Sequence, residues 1–143
     1  MEQSQHMLAK SAGVLIFLGI GTGFLIAASA TGQIPSNTEM MVAAHLNALL
    51  GGFWLLGVGW SLPFCSLSES QQKWMLRLLI CSNYSNWFWT AVKSFFDVHA
   101  ISFDDSTANN LLFVALSVFV VLPALFGSGL WVWGLFHMRS SPN

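Results

Sequence analysis

Charge is what this sequence has least of. Its 143 residues include five lysines and arginines and six aspartates and glutamates, 8% in all, with a formal net charge of −1. Soluble domains carry about 25% charged residues, so that class is excluded. No basic stripe exists to meet phosphates, which excludes nucleic acid as a partner. Cysteine is scarce too. Cys65 and Cys81 form neither a Cys-x-x-Cys pair nor a Cys-x-x-Cys-His attachment motif, and they read as free thiols serving as small hydrophobes. Carboxylates are missing from the apolar stretches, and Asp104 and Asp105 are neighbours in a polar one. That removes a nucleophilic triad and an acid–base carboxylate pair. A zinc site would want three or four His, Cys or carboxylate ligands, and only one histidine is well placed. A transporter of this size would carry internal repeats, broken helices or an intramembrane charge. Pro63 and Pro123 are the sole candidates for breaks.

What is present is apolar. Hydrophobic residues make up 55% of the chain and the mean hydropathy is +0.63. A helical span needs roughly 20 mostly apolar residues. Four stretches meet that length, over 8–31, 40–64, 74–96 and 110–137, separated by "GQIPSNTE", "CSLSESQQK" and "DVHAISFDDSTAN". The expectation is an all-α protein: a single integral membrane domain over 1–143, built as a four-helix transmembrane bundle. The first run is too long for a signal-peptide core and no cleavage site follows it, so no cleavable leader is expected.

Lys10, Lys73, Arg77 and Arg139 fall at the N-terminus, the second connection and the C-terminus. In a four-span layout these share one side. The positive-inside rule then puts both termini of a multi-pass protein in the cytoplasm, and the expected location is a bacterial inner membrane. Trp74, Trp131 and Trp133 near span ends read as interface anchors. Gly19 and Gly23, and Ala44, Ala48 and Gly52, recur every fourth residue. Such rows let helix backbones approach closely, or leave room for a flat ligand.

"VAAHLNALLGG", residues 42–52, puts polar groups where only apolar ones are expected. Of four histidines, His6 and His137 fall near one face and His99 in the outer loop. His45 alone is inside a span, about one turn past its outer end. A histidine in hydrocarbon is neutral and keeps one nitrogen lone pair, as an acceptor or a metal ligand. The third stretch, "CSNYSNWFWT", adds Tyr84, Asn86, Trp87 and Thr90. Asn83, Tyr84 and Trp87 share one helical face, as do Asn86 and Thr90. Antiparallel packing sets His45 and Asn86–Thr90 at similar depth, so one polar cluster is expected. It is either a hydrogen-bond seam or a site.

These residues carry a resemblance. "AAHLNALLGG" is similar to the Ala-His-Leu stretch of the second helix in hydroxylaminobenzene mutases, and "YSNWFWT" resembles their Tyr-Ala-Asn-Trp-x-x-Thr. The related styrene oxide isomerases share the four-helix layout and a loop like "ISFDDS". The resemblance implies a homotrimer that binds haem b between neighbouring subunits. His45 matches the iron ligand, and the ferric iron acts as a Lewis acid toward a substrate oxygen. It implies an isomerase or mutase acting on a small aromatic substrate without net redox change. Thr90 stands where the mutases have threonine and the epoxide isomerases tyrosine, which favours an aryl hydroxylamine rearranged to an aminophenol over an epoxide rearranged to an aldehyde. Asn86, Thr90 and Tyr84 are the catalytic candidates. Ala44, Ala48, Gly51, Gly52 and Trp87 are the cofactor-binding candidates, with the small residues making space for the porphyrin. Gly51 departs from the pattern, for both groups have asparagine there. Trp87, Trp89 and Phe53 are the expected aromatic wall.

Two other readings stay open from the residues. One is an electron-transfer cytochrome, for which His99 would supply the second axial ligand. The other is a non-catalytic haem-binding membrane subunit.

Overall fold

A computed structural model describes residues 2–137 of the chain. Arg139, one of the charges that set the expected orientation, lies outside the described residues. Helix α1 spans Glu2–Ala30 and α2 spans Thr38–Ser61, running into a short 3-10 turn at Leu62–Phe64. Helix α3 spans Glu69–Phe96. The last rod is α4 (Thr107–Leu116), a π-helical turn at Ser117–Val121, and α5 (Leu122–Phe136). No strand occurs among the described residues.

The ends of the helices follow from local chemistry. Asn37 caps α2 by accepting from the Met40 N–H, Ser106 caps α4 by accepting from the Asn109 N–H, and Ser68 forms a reciprocal capping box with Gln71 at the start of α3. Each satisfies donors that the first turn leaves unpaired. Asp97 ends α3 in the left-handed region at φ 51°, and its carboxylate accepts from Asn37 Nδ2 at 2.7 Å. That bond ties the end of α3 to the start of α2.

Three helical stretches are long and apolar enough to cross a membrane: Glu2–Ala30, Thr38–Phe64 and Thr107–Phe136. Helix α3 has the length, at 28 residues, but not the hydropathy. Its Ser82, Asn83, Asn86, Thr90 and Ser94 bond neighbouring helices or its own backbone instead. Ser82 donates to Val120 O at 3.0 Å, Asn83 to Leu79 O at 2.8 Å, and Ser94 to Ala91 O at 2.7 Å. Large apolar side chains point outward all round, among them Phe17, Phe24 and Trp60, each about three-quarters exposed. An outer surface of that kind suits lipid rather than water.

The interior divides along the helix axes. Toward the end that carries the N-terminus, Leu8, Ala12, Leu15, Leu55, Val58 and Leu79 form a dry core. Toward the opposite end polar side chains join the apolar ones, with Thr22, Ser29, Thr90, Ser94 and Asn109 buried beside Met40, Met41 and Ala44. Helices α1 and α2 meet over small residues. A Cβ on Gly19 would lie 3.0 Å from the Ala48 Cβ, and one on Gly52 would overlap Ile16. Trp131 is half-buried, donating to Ser61 Oγ at 2.8 Å and meeting Trp54 edge to face.

The π turn has an identifiable cause. Pro123 has no N–H to donate back along the helix, and the winding widens just ahead of it. The Leu122 N–H reaches Ser117 O, five residues back, while Val120 O accepts from Ser82 of α3. Turns of this kind re-aim side chains and are frequent at functional sites.

Candidate functional site

His45 sits in the second turn of α2, half-buried against α1. Its Nδ1 lies 2.7 Å from Gly19 O. A carbonyl only accepts, so Nδ1 carries the proton and the lone pair is on Nε2. Nε2 has no partner among the described residues. Gly23, one turn on from Gly19, leaves the ring edge open: a Cβ there would meet only the imidazole, at 3.9 Å. An oriented imidazole with one free nitrogen is the usual form of a histidine metal ligand. No group of three or more His, Cys, Asp or Glu that could hold a bare ion occurs among the described residues. The donor set therefore fits a metal that brings its own equatorial ligands, as haem does.

Asn47 is two residues further along and faces the other way. Its Nδ2 donates to Asn86 Oδ1 at 3.3 Å and to Thr90 Oγ1 at 3.1 Å. These three side chains and Lys93 line one side of a cavity of about 380 Å³ between α2, α3 and the last rod. Ile101, Phe113, Leu116 and Val120 form its apolar side, the last two at or beside the π turn. Lys93 donates to His99 O at 3.3 Å, holding the loop at 97–106 over the mouth. Asn109 braces that loop, accepting from the Ala100 N–H at 2.8 Å and donating to Ser102 O at 2.7 Å.

The sequence reading expected His45 and Asn86–Thr90 in one polar cluster and took Tyr84 and Trp87, on another face of α3, as further site residues. The structure brings Asn86 and Thr90 together and separates the rest. Tyr84 donates to Ser11 O of α1 at 2.8 Å, and Trp87 donates to Thr22 Oγ1 at 2.9 Å. The reason is angular, since at about 100° per residue Tyr84 lies some 200° from Asn86. The same step separates His45 from Asn47, so imidazole and cavity lie on different faces of α2. Ala44, Ala48, Gly51 and Gly52 are all buried. The space left at Ala48 and Gly52 is taken by α1, and at Gly51 by Asn83 of α3, whose Oδ1 would be 2.6 Å from an added Cβ. Within one chain they are helix-packing positions. The aromatic wall also differs. Phe53 is exposed and Trp89 meets Phe88 edge to face, while Phe113 is the aromatic residue at the cavity. Asn47, Lys93 and Phe113 were missed as lining residues. Helical spacing held a signal for Asn47 alone, through its match in depth to Asn86 and Thr90.

The family model for styrene oxide isomerase matches residues 4–136. Hydroxylaminobenzene mutase HabB of Ectopseudomonas oleovorans is 28% identical over 138 residues, covering 91% of this chain and 79% of that protein. Hydroxylaminobenzene mutase HabA of the same organism is 34% identical over 83 residues, 58% of this chain and 57% of that protein. No solved structure matches.

Proposed function

The chain belongs to the styrene oxide isomerase family, and on that premise we propose that it is a membrane isomerase that uses haem b to rearrange an aryl hydroxylamine to an aminophenol. The reading includes four crossings of a bacterial inner membrane, both termini in the cytoplasm, and a homotrimer. The observation that carries it is the state of His45, with Nδ1 held by Gly19 O at 2.7 Å and Nε2 free. Two relatives named hydroxylaminobenzene mutase, together with Thr90 in the mutase pattern, favour the hydroxylamine. The family's own description favours the second reading, an epoxide rearranged to an aldehyde.

In this reading His45 holds the group through Nε2, and Gly19 O keeps the ring in the one tautomer that can do so. When bound, ferric haem supplies a Lewis acid for the substrate oxygen. The cavity beside Asn86 and Thr90 holds the aromatic body against Phe113 and Leu116 and keeps water from it. Asn86 and Thr90 bond and orient the polar group of the substrate. His45 and the cavity lie on different faces of α2, and in this reading one copy's imidazole faces another copy's cavity within the oligomer that the family resemblance implies. An aryl hydroxylamine and its aminophenol have the same molecular formula, so neither reductant nor O₂ is consumed.

The test is purification in mild detergent with haem supplied, followed by an absorption spectrum and assays on phenylhydroxylamine and styrene oxide. A Soret band and turnover without NAD(P)H or O₂ are expected. Absence of a Soret band, or turnover that needs either co-substrate, overturns the reading. Turnover of the epoxide alone reverses the choice of substrate.

A further inference from the structure

The cavity between α2, α3 and the last rod has hydrogen-bond directions that one residue sets. The Asn47 amide gives one proton to Asn86 Oδ1 and one to Thr90 Oγ1. An amide whose oxygen is engaged presents its NH₂ elsewhere, and a hydroxyl that accepts keeps its proton to donate. Among the described residues neither Asn86 Nδ2 nor the Thr90 hydroxyl proton has a partner. Thr90 is only 4% exposed, so bulk water does not take that proton. An unpaired donor in such a place is costly, and the buried Thr90 hydroxyl borders an apolar-walled space of about 380 Å³ beside the half-buried Asn86 amide.

We propose that Asn47 is a positioning residue that fixes Asn86 and Thr90 as donors, so that the cavity takes a small aromatic molecule by one neutral acceptor oxygen. This rests on the reading of the cavity as the substrate site and names the recognition chemistry of that site. Both Asn47 protons are needed. With an acceptor at 47 instead, the Asn86 amide turns its NH₂ toward α2 and the Thr90 proton follows, and both donors are withdrawn from the ligand.

The probe is acetophenone, which is aromatic, unreactive in a rearrangement and an acceptor only. Its binding to the full chain in detergent is measured together with its infrared carbonyl stretch. In the wild type the stretch falls below its value in detergent alone. Asn47→Asp keeps size and shape but, as a carboxylate, only accepts. At alkaline pH it is expected to bind about tenfold more weakly, the worth of one or two net hydrogen bonds, and to lose the lowered stretch. Binding recovers only in part as acid restores a single proton to Asp, which then serves one of the two acceptors, while wild type measured in parallel corrects for the pH response of neighbouring Lys93 and His99. Asn47→Leu weakens binding at every pH, and Thr90→Val removes part of the lowered stretch with Asn47 intact. Ethylbenzene, which lacks the oxygen, binds all four proteins alike. Wild-type affinity and stretch in both Asn47 variants overturn the proposal, as does failure of the wild type to bind acetophenone. Turnover is assayed separately. Donor-dependent binding without turnover of phenylhydroxylamine or styrene oxide sinks the isomerase reading and leaves the role of Asn47 supported.

Discussion

His45 and Asn47 stand two residues apart on α2 and serve opposite neighbours. His45 bonds the backbone of α1 at Gly19, and Asn47 bonds Asn86 and Thr90 of α3. One helix thus carries a ligand-type imidazole on one face and a wall of a polar cavity on the other. Substitutions on the two faces are therefore expected to separate.

On the imidazole face, His45→Ala removes the Nε2 donor and is expected to abolish haem retention while circular dichroism stays helical. Added imidazole should restore part of the Soret band. A Gly23→Leu variant keeps His45 but fills the open ring edge, where even a Cβ would stand 3.9 Å from the imidazole. It should lower haem content with little change in thermal stability. Unaltered haem spectra in both variants would remove His45 as the ligand.

On the cavity face, Asn86→Ala should lower turnover with haem content near wild type, and Asn83→Ala should not. Asn83 donates to Leu79 O and packs on Gly51, away from the cavity. Equal losses of kcat/KM for the two would mean that both asparagines are seams between helices.

Gly51 and Asn83 form a coupled pair. Gly51→Ala puts a Cβ 2.6 Å from Asn83 Oδ1, and overpacking of this kind costs about 1–3 kcal/mol. Combining it with Asn83→Ala should recover most of that loss, which a double-mutant cycle on the denaturation midpoint reads directly. Additive losses would show that the seam relaxes some other way.

Ser82 supports the π turn through Val120 O at 3.0 Å. Ser82→Ala leaves that carbonyl short of a partner, at a cost of about 1 kcal/mol. Because Val120 also lines the cavity, the variant should raise KM more than it lowers kcat. A change in stability alone would make the turn a purely structural feature.

Much of this was legible in the residues. The apolar runs mark out four helices because a helix in hydrocarbon must satisfy its own backbone along its whole length. The observed segments Glu2–Ala30, Thr38–Phe64, Glu69–Phe96 and Thr107–Phe136 contain or closely track the expected stretches. The fixed rotation per residue also ordered the faces of α3, pairing Asn86 with Thr90 and setting Tyr84 and Trp87 on another side. A rotation says which residues share a face and is silent on which helix that face meets. Packing decided that. Close approach at Gly19–Ala48 and Gly52–Ile16 turned one side of α2 onto α1, leaving Asn47 to face α3. The proline-linked π turn then shaped the last rod around the cavity. Thus the sequence by itself determined helices, their lengths and their faces, which depend on local periodicity. Only the tertiary structure decided that His45 and the Asn47–Asn86–Thr90 cavity are separate places, because that depends on contacts between residues dozens of positions apart.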